Sequence, residues 1–304
     1  MKRTAPFAAA LALSFSGMAG GQPAVPAVLS DFQRDVDSIT PYAYESFKAG
    51  GPDLPEKIVR LAYDANPGLK RYDDAFRKVM DEVQSTIVTG RPAVWLIYNM
   101  GVVVKTPQTV FAIDLLHRQG PLMEPLLDFA LVTHNHDDHA DDALLALMDR
   151  HRKTVVSNFL CNYGAHKGGE MPGGYIRGEG TLEIGDVKIR ATPSDHNGYL
   201  REFTSAFEIT VGDWTLYHTG DSWRPSMLNP ARPPDLWVCH PRNGLDIVKC
   251  VSKFHPRRTV IAHLNELGHQ GGGRVSVADA LETAAAIEAE GAEAVIPVWG
   301  ERIQ

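Results

Sequence analysis

Leu131 to Asp142 reads LVTHNHDDHADD, an apolar run that ends in a cluster of imidazoles and carboxylates. The stretch from Leu126 to Thr133 is apolar enough to form a buried strand, which sets His134, His136, Asp138 and His139 within six residues of its C-terminal end. Packing alone gives no reason for such a cluster. Imidazole nitrogens and carboxylate oxygens suit divalent cations such as zinc, manganese or iron, and a loop at a strand end turns several of them inward. On extended backbone, His134 and His136 share a direction, and Asp138 and His139 then reach a second, adjacent ion.

The same signal recurs downstream. His196 follows the strand-like ATPSDHNG, Asp221 closes TLYHTGDS, and His263 closes TVIAH. Each candidate ends an expected strand where a loop begins, so all of them fall along one rim of the sheets.

The surrounding chain alternates short strands with helices. After Gly90-Arg91-Pro92, the β-branched runs Val94 to Tyr98, Gly101 to Lys105 and Val110 to Asp114 read as strands, and Asp141 to Arg150 as a helix. Two hairpins are predicted, Thr181 to Thr192 turning at Gly185-Asp186 and Phe203 to Tyr217 turning at Gly212-Asp213. Strands at Asp235 to Cys239, Thr259 to Ala262 and Ala294 to Val298 alternate with helices at Leu245 to Phe254 and Val275 to Ala289. The pattern predicts an α/β (α+β) fold of two sheets with helices outside them. Before it, residues 20–90 read as a helical extension with Pro55 at a helix start and an apolar stripe through Phe76, Val79, Met80, Val83 and Ile87.

Composition bounds the function. The chain has 304 residues, 44% of them apolar, which is enough for a sizeable core. A net charge of −7 offers no basic field for nucleic acid or an anionic membrane, and no apolar run reaches the length of a membrane span. At the N-terminus, Lys2-Arg3, the apolar run Phe7 to Phe15 and Gly17-Met18-Ala19 follow the order of an export signal over residues 1–19, which predicts a periplasmic or secreted protein. Cleavage after Ala19 would take the charge from −7 to −9. Cys161, Cys239 and Cys250 form no C-x-x-C pair and are read as buried thiols, with one disulfide and a free thiol as the alternative.

The set His134-Asn135-His136-Asp137-Asp138-His139, His196, Asp221 and His263 resembles the metallo-β-lactamase superfamily over residues 91–304. HTGDS, Pro241-Arg242-Asn243-Gly244 and HLNELGH look most like its L-ascorbate-6-phosphate lactonase-like branch. The resemblance implies a four-layer αββα sandwich of two mixed sheets with outer helices and a dinuclear site at its edge. By carry-over, His134, His136 and His196 hold one metal, Asp138, His139 and His263 the other, and Asp221 bridges them. True β-lactamases of this fold lack an aspartate at that position, so Asp221 argues against antibiotic hydrolysis.

The expected cofactors are two divalent ions, zinc first and manganese or iron as alternatives. They would share a hydroxide that cleaves a small ester, lactone or phosphodiester. Asp138 is expected to orient that hydroxide or carry its proton. His218 is a candidate to support a ligand or contact substrate, and one of Asn265, Glu266 and His269 to donate to a substrate oxygen or help the leaving group depart, with His269 also a rival to His263 as ligand. Asp195 is a further supporting candidate, and Tyr98 and Asn99 are candidates for the pocket wall. The glycine-rich loops 164–174 and 268–273 are candidate covers. Competing readings are a nuclease of the same superfamily, a single-iron thiol-oxidising protein, and a non-catalytic metal-binding module.

Overall fold

Ala93–Tyr98 (β1), AVWLIY, is buried at every position, so its sheet is covered on both faces. Val94 and Leu96 point into one apolar layer, whereas Trp95 and Ile97 point into another. That alternation generates the architecture. The first layer joins Leu96 and Phe111 of one sheet to Phe207, Trp214 and Leu216 of the other and is the sandwich interior. The second lies between the sheets and the helices. This computed structural model describes residues 25–157, 179–196, 204–269 and 274–304. The expected export signal and Cys161 lie outside them, as do the loop 164–174 and residues 270–273.

Gly101–Lys105 (β2), Val110–Ile113 (β3), Phe129–Leu131 (β4) and Thr154–Val156 (β5) follow in the first sheet, ordered β13-β1-β2-β3-β4-β5, where β13 is Glu301–Arg302. Gly180–Ile184 (β6), Val187–Ser194 (β7), Thr204–Val211 (β8), Trp214–His218 (β9), Leu236–Cys239 (β10), Arg258–Ile261 (β11) and Glu293–Val295 (β12) form the second, in the order β12 to β6. Both sheets are mixed. β3, β4 and β5 are parallel, as are β9, β10, β11 and β12, and the remaining neighbours are antiparallel. In consequence β7, β9, β10 and β11 all end at the same edge.

The expected strand Leu126 to Thr133 is shorter than its apolar run, because Gly120–Leu126, with Pro121 and Pro125, winds as a 3-10 helix. Asp142–Arg150 (α5) starts on its N-cap Asp141, whose side chain accepts from Leu144 N–H. Ile247–Phe254 (α6) and Val277–Ala289 (α7) cover the second sheet, with Phe254 edge-on to Tyr217 and Trp237.

The N-terminal extension comprises Ala27–Asp37 (α1), Pro41–Ala49 (α2), Glu56–Ala65 (α3) and Pro67–Ser85 (α4). α4 begins earlier than the Asp74 start of its sequence stripe because Pro67 sits at its first turn. It lies on β1, burying Phe76, Val79 and Val83 at ~1.5–3 kcal/mol each. Trp95 Nε1 donates to Glu82 at 2.7 Å, and the buried Arg118–Asp73 ion pair ties α4 to the segment after β3. Among the described residues no helix is long and apolar enough to cross a membrane.

Candidate metal centre

The parallel strand ends deliver the donors to one spot. The turn after β4 carries His134, His136, Asp138 and His139, and His196 follows β7, Asp221 follows β9 and His263 follows β11. One donor atom each from His134, His136, His196 and Asp221 lie within 4.8 Å of one another, and so do those of Asp138, His139, Asp221 and His263. Asp221 belongs to both groups. Its Oδ1 is 3.3 Å from His139 Nε2, and its Oδ2 is 3.8 Å from His196 Nε2. His136 is half-buried while the other six are buried, so the cluster opens to solvent on the His136 side.

Buried donors without partners fit divalent cations. His134 Nε2 and Asp138 Oδ1 have no hydrogen-bond partner among the described residues. An unpaired buried polar atom costs ~1–3 kcal/mol, which a coordinated cation recovers. Burial, followed by the neighbouring His139, pushes His134 well below its ordinary value, leaving it neutral as a ligand must be. Burial acts in the opposite sense on Asp138 and Asp221, but His139 and the other imidazoles prevail and hold both carboxylates ionised.

Residues 94–240 match the model of the β-lactamase superfamily domain. That segment, just under half of the chain, is therefore similar to the β-lactamase superfamily domain. A metal-dependent hydrolase of Carboxydothermus hydrogenoformans is 28% identical over 155 residues, 45% of this chain and 67% of the relative. In fold, the chain resembles Igni18, a metallo hydrolase of Ignicoccus hospitalis, at a TM-score of 0.55 and 21% identity, over 69% of this chain and 97% of that one. It also resembles CmlA, a diiron β-hydroxylase of Streptomyces venezuelae, at a TM-score of 0.55 and 15% identity, over 71% of this chain and 55% of that one. The chain therefore spans about half the length of that hydroxylase.

Around the seven donors lies a supporting shell that the sequence reading missed in part. Asp114, the residue after β3, accepts from His139 Nδ1 at 2.9 Å and from the Thr133 N–H and hydroxyl at 2.7 Å. The Thr133 hydroxyl is also 3.0 Å from His134 Nδ1. One carboxylate thus fixes two ligand rings and leaves their Nε2 atoms facing the cluster. Asn99 is more than pocket wall. Its amide donates to the Asp138 carbonyl at 2.9 Å and to Oδ2 at 3.1 Å, while its own carbonyl accepts from His263 N–H at 3.1 Å. Asp138 Oδ2 also pairs with His263 Nε2 at 3.1 Å, so Oδ1 is the oxygen left free. His240, which follows β10, has Nδ1 3.1 Å from Asp221 Oδ1 and stacks on His263 at 3.8 Å and 6°. Only its position, a polar residue directly after a strand, signals it in the sequence.

His218 does not reach substrate. It is fully buried, with Nε2 on the Met100 carbonyl at 2.9 Å and Nδ1 accepting from Gly220 N–H at 3.3 Å. Both nitrogens are spent on backbone, which braces the turn into Asp221. Asp195 pairs with Arg224 at 2.5 Å. His269 is 40% exposed at the rim, 2.8 Å from Glu266 Oε2 and 3.7 Å from Asp138 Oδ2. Glu266 is fixed in turn by Tyr98, whose hydroxyl donates to Oε1 at 2.8 Å, so Tyr98 serves the site as well as the core. Asn265 faces away, donating to Gln33 of α1 at 3.0 Å.

Proposed function

We propose that the chain is a dinuclear metal hydrolase of a small ester, lactone or phosphodiester, with zinc as the first candidate metal. The observation that carries this reading is Asp221, shared by two four-donor groups. A closed structural site holds one ion in four protein ligands, whereas seven donors for two ions leave positions for water and substrate. Two bound cations would supply an acidified water and polarise a carbonyl or phosphoryl oxygen. The relative from Carboxydothermus hydrogenoformans, named a metal-dependent hydrolase, supports the same class.

The chain's own residues supply the rest. Asp138, with Oδ2 held by Asn99, would offer its carboxylate both to the second ion and to the attacking water, orienting that water and accepting its proton. His269 is the proton donor to the leaving group. Its hydrogen bond to Glu266 is the largest influence and, against partial burial, raises it to about 9, so it carries its proton at neutral pH. Bound cations oppose that rise without removing the Glu266 partner. Neither residue would act on a substrate held far from the rim, which favours small molecules. A net charge of −7 speaks against a nuclease.

Oxidation at a di-iron site is the second reading, favoured by the fold likeness to CmlA. One assay separates the two. The chain reconstituted with zinc is given aryl ester, lactone and bis-aryl phosphate panels, with and without chelator. Zinc-supported turnover that chelator abolishes, and that Asp221→Ala lacks, supports hydrolysis. Turnover only with iron and oxygen supports oxidation and overturns it.

A further inference from the structure

We propose that His240 is a positioning residue for the second ion, the one expected between Asp138, His139, Asp221 and His263. A carboxylate oxygen only accepts, so the 3.1 Å contact with Asp221 Oδ1 requires a proton on His240 Nδ1. That oxygen is the one facing His139 at 3.3 Å, whereas Oδ2 faces His196. The hydrogen bond therefore fixes how Asp221 divides its two oxygens between the two groups. The His240 ring also lies flat against His263, at 3.8 Å between centroids and 6° between planes, which sets the plane of a second ligand. Both groups that it steers belong to the Asp138 set, and His240 itself is outside the donor groups. Its fully buried position just after β10, one strand from each ligand it steers, keeps it from turning away.

This rests on the dinuclear reading, and the test separates the two. Zinc is titrated calorimetrically into the chelator-treated full chain, and cobalt is titrated with its absorption spectrum as the readout. His240→Phe keeps a flat ring against His263 and removes the donor. His240→Asn keeps an N–H near the Nδ1 position. The expected result is two equivalents in the wild type, a second equivalent bound about 10–100-fold more weakly in His240→Phe with the first changed less than about twofold, and partial recovery in His240→Asn. The first-equivalent affinity reports that the variant is folded. If His240→Phe does not fold, His240→Leu, which has no side-chain donor, is titrated in its place. A wild type that takes one equivalent overturns the dinuclear reading. A wild type and donor-less variants that take both equivalents with equal affinity overturn the role of His240 alone.

Discussion

Asp114 and His139, 25 residues apart in the chain, are joined by a 2.9 Å hydrogen bond between a carboxylate and an imidazole that are both fully buried. β3 lies parallel to β4, which sets Asp114 beside Thr133 at the start of the turn that carries His139. Asp114 also holds Thr133, and through it His134, so its influence reaches one ligand of each group.

Replacing Asp114 should therefore weaken both ions together. Asp114 has φ of +50°, which asparagine tolerates, so Asp114→Asn isolates the loss of charge from backbone strain. An amide oxygen still accepts from the Thr133 N–H, but the amide nitrogen then takes the place of Oδ2 and faces the His139 Nδ1–H and the Thr133 hydroxyl. A loss of about 10–100-fold in affinity for each equivalent is expected, read by the same zinc titration. Loss confined to one equivalent would show that the Thr133 link to His134 carries no force.

The ligands were legible because each is a strong donor directly after an apolar run, as in TVIAH ending on His263. The supporting shell was not, because its meaning depends on which strands are neighbours. Asp114 reads as the polar end of a strand until β3 is known to lie beside β4, and Asn99 as a turn residue until its φ of +53° points its amide at Asp138. The choice between the two roles expected of His218 was hidden for the same reason. A histidine two residues before Gly220 carries no mark of the Met100 carbonyl that occupies its ring. β5 and β13 escaped notice because three and two residues are too short for a periodic pattern.

His117 predicts acid sensitivity in the docking of the N-terminal extension. It is stacked between Tyr72 and Phe76 of α4, with Nε2 on the Tyr72 carbonyl at 3.1 Å and Nδ1 accepting from Gln119 N–H at 3.0 Å. Burial, with lesser help from Arg118, holds it well below its ordinary value, so the folded chain keeps it neutral. The unfolded chain takes up a proton near pH ~6.5 and the folded chain does not, so this contribution is intact above that pH and lost as pH falls below it. Wild type should lose stability more steeply than His117→Gln below pH 6.5, by up to about 1.4 kcal/mol per pH unit. Urea unfolding at pH 5 to 8 measures it, and parallel curves would remove His117 as the cause.

His269 predicts a dependence on the leaving group. His269→Gln should lower kcat about 100-fold for an alkyl ester, whose alkoxide needs a proton, and only a few-fold for a 4-nitrophenyl ester, whose phenolate does not. Wild-type kcat on the alkyl ester should fall at alkaline pH as His269 loses its proton, and the variant should lack that limb. Equal losses on both substrates would assign His269 to binding.

Gly220 offers the sharpest steric test. Its φ is +49°, and a Cβ built there would lie 2.6 Å from the Thr133 hydroxyl oxygen and 2.8 Å from Thr133 Cβ. Gly212 has a similar φ of +59° with nothing within 4 Å, so Gly212→Ala carries the backbone penalty alone, ~1–2 kcal/mol. Gly220→Ala adds the displacement of Thr133, which moves the hydroxyl away from Asp114 and His134. It should lose ~1–3 kcal/mol beyond Gly212→Ala. Unlike that control, it should also bind zinc more weakly, because Thr133 orients His134 and Gly220 precedes Asp221. Chemical denaturation of the two metal-free variants gives the first difference, and zinc titration gives the second. Equal stability and equal zinc affinity would mean that Thr133 moves without cost and that its bridge between Asp114 and His134 does not shape the site.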